Sequence, residues 1–149
     1  MKRNCVLAAC VLWVTFLSFA QSPPAHAPAP AKVKYDEASR IKITGVVDDI
    51  QQRSLGGTCK APGMFVIVKA NEQTYELRVG PKWFVDTLTW TFTKGDKLEI
   101  TGWKVDKEGS NEVVVRKINR AEWTLEPRDD SGAANWLWMP APKDSGKCN

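Results

Sequence analysis

Residues 80–88 read GPKWFVDTL, and this stretch divides two groups of strand-like segments. Pro81 fixes its own φ and has no amide hydrogen, so it is well suited to the first position of a helix. An apolar face at helical spacing follows, formed by Trp83, Phe84, Val85 and Leu88. The stretch therefore predicts one short helix over Lys82–Leu88.

Five segments around this helix have the composition and alternation of β-strands. Three precede it and two follow it: Arg40–Ile50, Met64–Ala70, Thr74–Val79, Lys97–Val105 and Glu112–Ile118. Gly45 interrupts the first segment and predicts a bulge or a sharp coil in a long strand. Turn-forming residues separate the segments, and Trp123–Glu126 extends the fifth strand or adds a short edge piece.

The order of these elements is β-β-β-α-β-β, with the helix between the third and fourth strands. We therefore predict an all-β fold with one short helix, the five-stranded OB-fold, which is a partly open Greek-key barrel. Five short strands also fit an SH3-like barrel or a small sandwich, and the position of the helix favours the OB-fold. The domain is expected to span residues 34–138.

Three stretches resemble exported bacterial OB-fold proteins. They are VGPKWF at 79–84, GDKLEITG at 95–102 and LEPRDDSGAANW at 125–136. The resemblance covers roughly Ile41–Trp136. It implies the fold and a location in the cell envelope, and because that group has no agreed activity it transfers no catalytic residue.

Residues 1–20 have the pattern of a secretory signal peptide. Lys2 and Arg3 precede an apolar run over residues 5–19, and small residues precede a cleavage point after Ala20. The mature protein would then be periplasmic or secreted, with no stable membrane span. The alternatives are lipidation at Cys10 and retention of the segment as an anchor.

Two further segments flank the predicted domain, a Pro/Ala-rich tether at residues 21–33 and a tail at residues 139–149. After signal cleavage the chain keeps Cys59 and Cys148, which are candidates for one disulfide bond in an oxidising compartment. Such a bond would draw the tail across the first loop of the barrel. A free Cys148, or one paired with another chain, is the alternative.

Charge and histidine content argue against an enzyme. The formal charge of +4 falls to +2 when Lys2 and Arg3 are removed, which weakens a polyanion-binding interpretation. His26 is the only histidine and lies in the tether, so His-dependent catalysis and multi-His metal centres are not expected. We expect no metal, no cofactor and no catalytic residue; an accessory subunit of a cofactor-dependent enzyme is the alternative.

A non-enzymatic binding module is the function that these features favour. OB-folds bind ligands on strands two and three and on the loops after strands one and four. The candidate ligand-binding residues on those elements are Arg53, Lys60, Phe65, Tyr75, Arg78, Lys104 and Lys107. An envelope protein or a glycan is the expected partner, with single-stranded nucleic acid or an oligosaccharide as alternative ligands.

Tryptophan is unusually frequent, and six of the seven remain after signal cleavage. Four of them are expected to pack in or on the barrel: Trp83, Trp90, Trp103 and Trp123. Trp136 and Trp138 follow a Gly/Ala turn in a segment without periodicity. They are candidates for contact with a partner, or for burial by a tail that folds back.

Overall fold

A computed structural model describes residues 32–56, 59–143 and 145 of the chain. This part is mostly β-sheet with one short α-helix. Its elements are β1 (Lys32–Val33), β2 (Arg40–Ser54), β3 (Pro62–Ala70), β4 (Gln73–Pro81), α1 (Lys82–Thr87), β5 (Lys97–Asp106), β6 (Glu112–Arg120), β7 (Trp123–Leu125) and a 3-10 helix (Asn135–Trp138). The predicted signal peptide and all but the last two residues of the predicted tether lie outside the described residues.

The five long strands pair in a closed cycle. β2 pairs with β3 and β3 with β4, both antiparallel. β4 pairs in parallel with β6, β6 is antiparallel to β5, and β5 is antiparallel to β2. The parallel step is short, since it joins only residues 76–78 to residues 112–114.

The two extra strands are short and lengthen the edges of this cycle. β1 pairs with the end of β5, with Lys32 opposite Asp106. β7 pairs with the end of β6, with Trp123 opposite Arg120. The folded part therefore begins within residues assigned to the tether, because β5 extends beyond its pairing with β2 and offers its backbone groups to β1.

One long strand serves two neighbours, and it contains the glycine that predicted a bulge or a sharp coil. β2 pairs with β5 through residues 40–46 and with β3 through residues 46–54, and its register shifts between Val47 and Asp49. A Cβ at Gly45 would lie 2.6 Å from the carbonyl oxygen of Lys69. A side chain does not fit there, so glycine permits the close approach of β2 and β3.

The hydrophobic core lies inside the cycle of strands and is covered at one end by α1. Many of its members are residues of the strands, among them Ile43, Val66, Val68, Leu77, Val79, Leu98, Ile100, Val113, Val115 and Ile118. Phe84 and Val85 of α1 are buried against this core. The helix ends at Thr87, and Leu88, which the apolar spacing had placed on the helix, is exposed.

The C-terminal segment folds back onto the cycle of strands after β7. Asp129 forms the turn at residues 129–133, where its carboxylate accepts hydrogen bonds from the backbone N–H groups of Ser131 and Ala133, both at 2.9 Å. Asp130 binds Arg116 through a hydrogen bond of 2.6 Å. Arg40 also donates to Asp130, at 3.0 Å. These carboxylates fix the return of the chain.

Arg128 closes the gap that opens where β4 and β6 separate. Its Nη1 donates to the carbonyl oxygens of Val79 at 3.0 Å and Val115 at 2.8 Å. Its guanidinium lies 4.7 Å from the ring centre of Trp136. Burial lowers the pKa of Arg128 to about 10, because a low-dielectric site disfavours the charged form.

Candidate functional site

Two cavities lie on either side of the loop that joins β5 to β6. We call residues 107–111 the hairpin loop. The larger cavity, of about 840 Å³, lies between this loop and the segment that leads into β2. The smaller one, of about 490 Å³, lies between the loop and the outward surface of β3 and β4. The hairpin loop is therefore the wall that the two cavities share.

The hairpin loop is held against β4 by hydrogen bonds that continue the short parallel pairing. The backbone N–H of Glu76 donates to the carbonyl oxygen of Asn111 at 3.1 Å. The Asn111 side-chain amide donates to the carbonyl oxygen of Thr74 at 3.2 Å. Gly109 has a φ of 70°, which a side chain would disfavour. These hydrogen bonds and the turn at Gly109 thus fix the position of the hairpin loop relative to the sheet.

The outward surface of β2–β4, which we call the strand face, carries paired charges. Arg53 forms an ion pair with Glu76, and Arg78 forms one with Glu112. The strand alternation that buries Leu77 in the core turns its neighbours outward, so these side chains share one face. Arg53, Glu76 and Glu112 line the smaller cavity.

The larger cavity holds lysines that form no ion pair with any described residue. Lys104 and Lys107 line it and have no carboxylate within ion-pair distance in the described part of the chain. Lys34, also in the lining, lies 3.4 Å from Asp106. Glu108 adds a carboxylate to the same lining. The cavity therefore presents both signs of charge.

The structure brings together four of the predicted ligand-binding residues. Arg53, Phe65 and Arg78 lie on the strand face, and Lys107 lies on the hairpin loop between the two cavities. Lys104 lines the neighbouring larger cavity. The loop and strand elements named from sequence thus meet in one region.

Two predicted residues lie apart from this region. Tyr75 is on the opposite face of β4, where it packs against the core and donates to Gln73 Oε1 at 2.6 Å. It lines a separate depression at the β3–β4 turn. Lys60 is exposed in the segment before β3, and none of the cavity linings described above includes it.

Phe65 does not offer an open ring for stacking. Its side chain is only 4% exposed, and the guanidinium of Arg53 lies 4.2 Å from the ring centre. The ring of this predicted ligand-binding residue is therefore covered by the chain's own arginine. Cation–π contact of this kind explains why an aromatic on an outward position is buried.

The two tail tryptophans differ sharply. Trp136 is 8% exposed and packs against Phe84 with ring centres 5.5 Å apart. Trp138 is 89% exposed. Trp136 is thus part of the core rather than a contact for a partner. Trp123, which was expected to pack on the barrel, is exposed because its strand pairs only at the end of β6.

The predicted disulfide is not tested by the described residues. Cys59 is partly buried in the segment before β3, whereas Cys148 lies outside the described part of the chain. The Cys59–Cys148 bond, and the tail that it would draw across the first loop, stay predictions.

Three further residues of this region were not among the predicted ligand-binding residues. Glu76, Glu112 and Asn111 complete the strand face and the hairpin loop. Glu76 and Arg78 alternate with core residues in β4, and this alternation was the available signal. The contact between β4 and β6 joins segments far apart in sequence, and no local pattern indicates it.

Neither a membrane-spanning helix nor a cluster of metal-binding side chains is found among the described residues. No helix among them is long and apolar enough to cross a membrane. Within the same ranges, no group of three or more His, Cys, Asp or Glu side chains is placed to hold a metal ion.

One comparison with known proteins gives a match. The model of the MamS/MamX magnetosome protein family matches residues 34–125, which is more than half of the chain. The matched range begins just after β1 and ends with β7, so it contains the full cycle of strands. No curated protein and no solved structure gives a significant match.

Proposed function

We propose that this chain, which belongs to the MamS/MamX magnetosome protein family, is a non-enzymatic binding module for a polypeptide partner. The partner would contact the strand face and the hairpin loop. The observation that carries the proposal is the pairing of charges on the strand face. Basic and acidic side chains alternate there rather than forming a basic groove.

The paired charges favour a polypeptide over a polyanion. Arg53 and Arg78 are each matched by a glutamate, and Lys69 lies 2.7 Å from Asp48. Nucleic acids bind where unmatched lysines and arginines neutralise phosphates and where bases stack on open aromatic rings. A polypeptide carries both signs of charge, so it can exchange ion pairs with such a surface.

The shape of the region supports an extended ligand. The two cavities open on either side of the hairpin loop, so a chain lying across the loop would contact both. Hydroxyl and amide groups line the smaller cavity beside the ion pairs, among them Thr74, Ser110 and Asn111. These groups can donate to and accept from a peptide backbone.

We also propose that the barrel is an OB-fold. The cycle of pairings β2–β3–β4–β6–β5–β2 supports it, as does the position of α1 between β4 and β5. In this assignment the strand face corresponds to the usual OB binding face, and the hairpin loop to the loop after the fourth strand. The proposed partner would therefore use the surface that this fold commonly offers.

The proposed location is the cell envelope, with export by the signal peptide at residues 1–20. The family name associates this group with the magnetosome. We therefore propose a component of the magnetosome as the partner. We assign no catalytic residue, because the carboxylates of the strand face are engaged in ion pairs.

Affinity capture with matched lysine variants tests this proposal. The mature chain would be immobilised and exposed to solubilised magnetosome and envelope proteins. Lys107→Glu, on the hairpin loop, should reduce the captured polypeptide at least tenfold. Lys97→Glu makes the same change on an exposed lysine at the start of β5, and it should leave capture unchanged.

A labelled oligothymidylate provides the opposing test. We expect no saturable change in its fluorescence anisotropy with the mature chain at low salt. Binding that weakens steeply as salt rises would overturn the proposal, since release of counterions from phosphates produces that dependence. Equal capture by Lys107→Glu and the wild type would also overturn it.

A further inference from the structure

The last residues of β2 have a strand on one side only. β5 pairs with β2 as far as Val46, whereas β3 continues to Ser54. The carbonyl oxygen of Val47 still accepts a hydrogen bond from the backbone N–H of Gly95, at 2.8 Å. Beyond this point, no backbone hydrogen bond within the described part of the chain reaches that side of β2. We call residues 50–54 of β2 the open edge.

The register shift in β2 decides which backbone groups face the open side. Backbone groups of successive residues in a strand point alternately to its two sides. Val47 points away from β3, since its N–H donates to the carbonyl oxygen of Asp96 at 2.9 Å. One extra residue lies between Val47 and Asp49, so the alternation is reversed and Asp49 points toward β3. The N–H and C=O groups on the open side are therefore those of Ile50, Gln52 and Ser54.

The side chains of β2 show the same reversal. Before the shift, the odd-numbered Ile43 and Val47 are buried in the core, whereas after it the even-numbered Ile50 packs against the core. Arg53 points to the outward side, where its guanidinium lies 4.2 Å from the ring centre of Phe65. The open edge therefore borders the strand face directly.

The chemistry of the open edge matches that of an extended polypeptide. Its N–H donors and C=O acceptors repeat at every second residue, which is the pattern that another strand complements. A nucleic acid backbone has no N–H donors and cannot supply this pattern. From Ile50 to Ser54 the four steps span about 13 Å, which accommodates a segment of about five residues. Residues 51–54 are all exposed, so a ligand can reach the edge.

The side chains of the open edge do little to prevent pairing with another strand. Open edges are commonly protected by proline, by lysine or by other charged side chains. Residues 50–54 read IQQRS and contain neither proline nor lysine. Their one charged side chain, Arg53, forms an ion pair with Glu76 on the strand face. The sequence therefore leaves this edge accessible to a partner, although an accessible edge carries a risk of aggregation.

We propose that an extended segment of the polypeptide partner adds to the open edge as a further strand. This inference rests on the function proposed above and specifies how the partner's backbone is bound. Alternate side chains of the added strand would point to the same side as Arg53 and contact the strand face. In strand addition, backbone hydrogen bonds give affinity, and the contacts of alternate side chains give specificity.

Two substitutions at one position separate the backbone from the side chain. Gln52→Pro removes an N–H on the open side, whereas Gln52→Ala keeps it. Proline is tolerated in an edge strand where its nitrogen faces away from the neighbouring strand, so both variants should keep the wild-type circular dichroism spectrum. Each immobilised chain is exposed to solubilised magnetosome and envelope proteins. Gln52→Pro should capture at least tenfold less of the polypeptide than the wild type, and Gln52→Ala should capture the same amount.

Hydrogen exchange at individual amides provides a second readout on the wild type. In the free chain, the N–H groups of Ile50 and Gln52 should exchange faster than that of Gln51, which faces β3. After addition of the captured polypeptide, exchange at Ile50 and Gln52 should slow at least tenfold. This measurement needs no variant, so it tests the proposal even if Gln52→Pro does not fold.

The results that would overturn strand addition differ from those that would overturn the proposed function. Equal capture by folded Gln52→Pro and the wild type would overturn strand addition alone, provided that Lys107→Glu still reduces capture. An equal loss in Gln52→Ala would assign the contact to the side chain and also overturn it. Slow exchange at Ile50 in the free chain would show that the edge is already paired, with a second copy if the rate depends on protein concentration. Absence of any capture by the wild type would overturn both proposals.

Discussion

The burial of Trp136 predicts that the C-terminal segment is part of the folding unit. Its ring packs on Phe84, lies under the guanidinium of Arg128 and touches the backbone at Gly80, where an added Cβ would come within 2.7 Å of it. Replacing a buried tryptophan with alanine costs about 3–5 kcal/mol. Because the residue is almost fully buried and also supports a cation–π contact, we expect Trp136→Ala to lower the free energy of unfolding by about 4 kcal/mol.

Trp138→Ala is the matched control, since it makes the same chemical change two residues further along. Its side chain is exposed, so the change should stay within about 0.5 kcal/mol. Urea unfolding followed by far-ultraviolet circular dichroism gives both values. Trp136→Phe, with an expected loss of about 1–2 kcal/mol, gives a measurable value if the alanine variant does not fold. Equal stability of the Trp136 and Trp138 alanine variants would refute the assignment of the segment to the core.

Three further predictions concern packing and charge. Gly102→Ala presses a Cβ against the carbonyl oxygen of Val114, so it should cost about 1–3 kcal/mol in chemical denaturation. The hydrogen bond from Arg116 holds the pKa of Asp130 below its ordinary value of 3.8. As the pH falls below 3.8, the melting temperature of the wild type should therefore decrease more than that of Asp130→Asn. Equal decreases would contradict the stabilisation of the Asp130 carboxylate by Arg116. Burial lowers the pKa of Arg128 to about 10, below its ordinary value, so above that pH the unfolded chain binds more protons than the folded chain and the wild type gains stability as pH rises. Alkaline unfolding should show that this gain is absent in Arg128→Met.

Local sequence patterns predicted the order of the main elements, because the formation of each of these helices and strands depends mainly on residues that are neighbours in sequence. Pro81 and the apolar spacing after it placed α1 between β4 and β5. The interruption at Gly45 predicted a bulge or a sharp coil in a long strand, and the register of β2 shifts close by, between Val47 and Asp49. β1 was not predicted, because its two residues form a strand only where β5 extends to meet them.

Burial of individual aromatic residues depended on contacts that sequence does not display. Trp123 and Trp136 both follow β6. Trp123 lies in strand β7 and is exposed, whereas Trp136 lies in the segment without periodicity and is buried. Trp136 is buried because the turn at Asp129 reverses the chain toward α1. That reversal depends on ion pairs between residues distant in sequence.

The binding region was only partly predicted, because it also depends on contacts between strands that are distant in sequence. Arg53, Arg78 and Lys107 were located by their positions on strands and loops, and the structure brings them together. The individual ion-pair partners of the arginines were not predicted, because Glu76 and Glu112 meet them only through cross-strand pairing.

Site-specific cross-linking tests the central claim most directly. A photoreactive phenylalanine derivative would replace Ser110, in the wall between the two cavities, or Lys97, at the start of β5. After illumination with solubilised magnetosome and envelope components, position 110 should yield a covalent adduct with a polypeptide and position 97 should yield none. An adduct at position 97 alone, or one at position 110 that nuclease rather than protease removes, would contradict polypeptide binding at the strand face and hairpin loop.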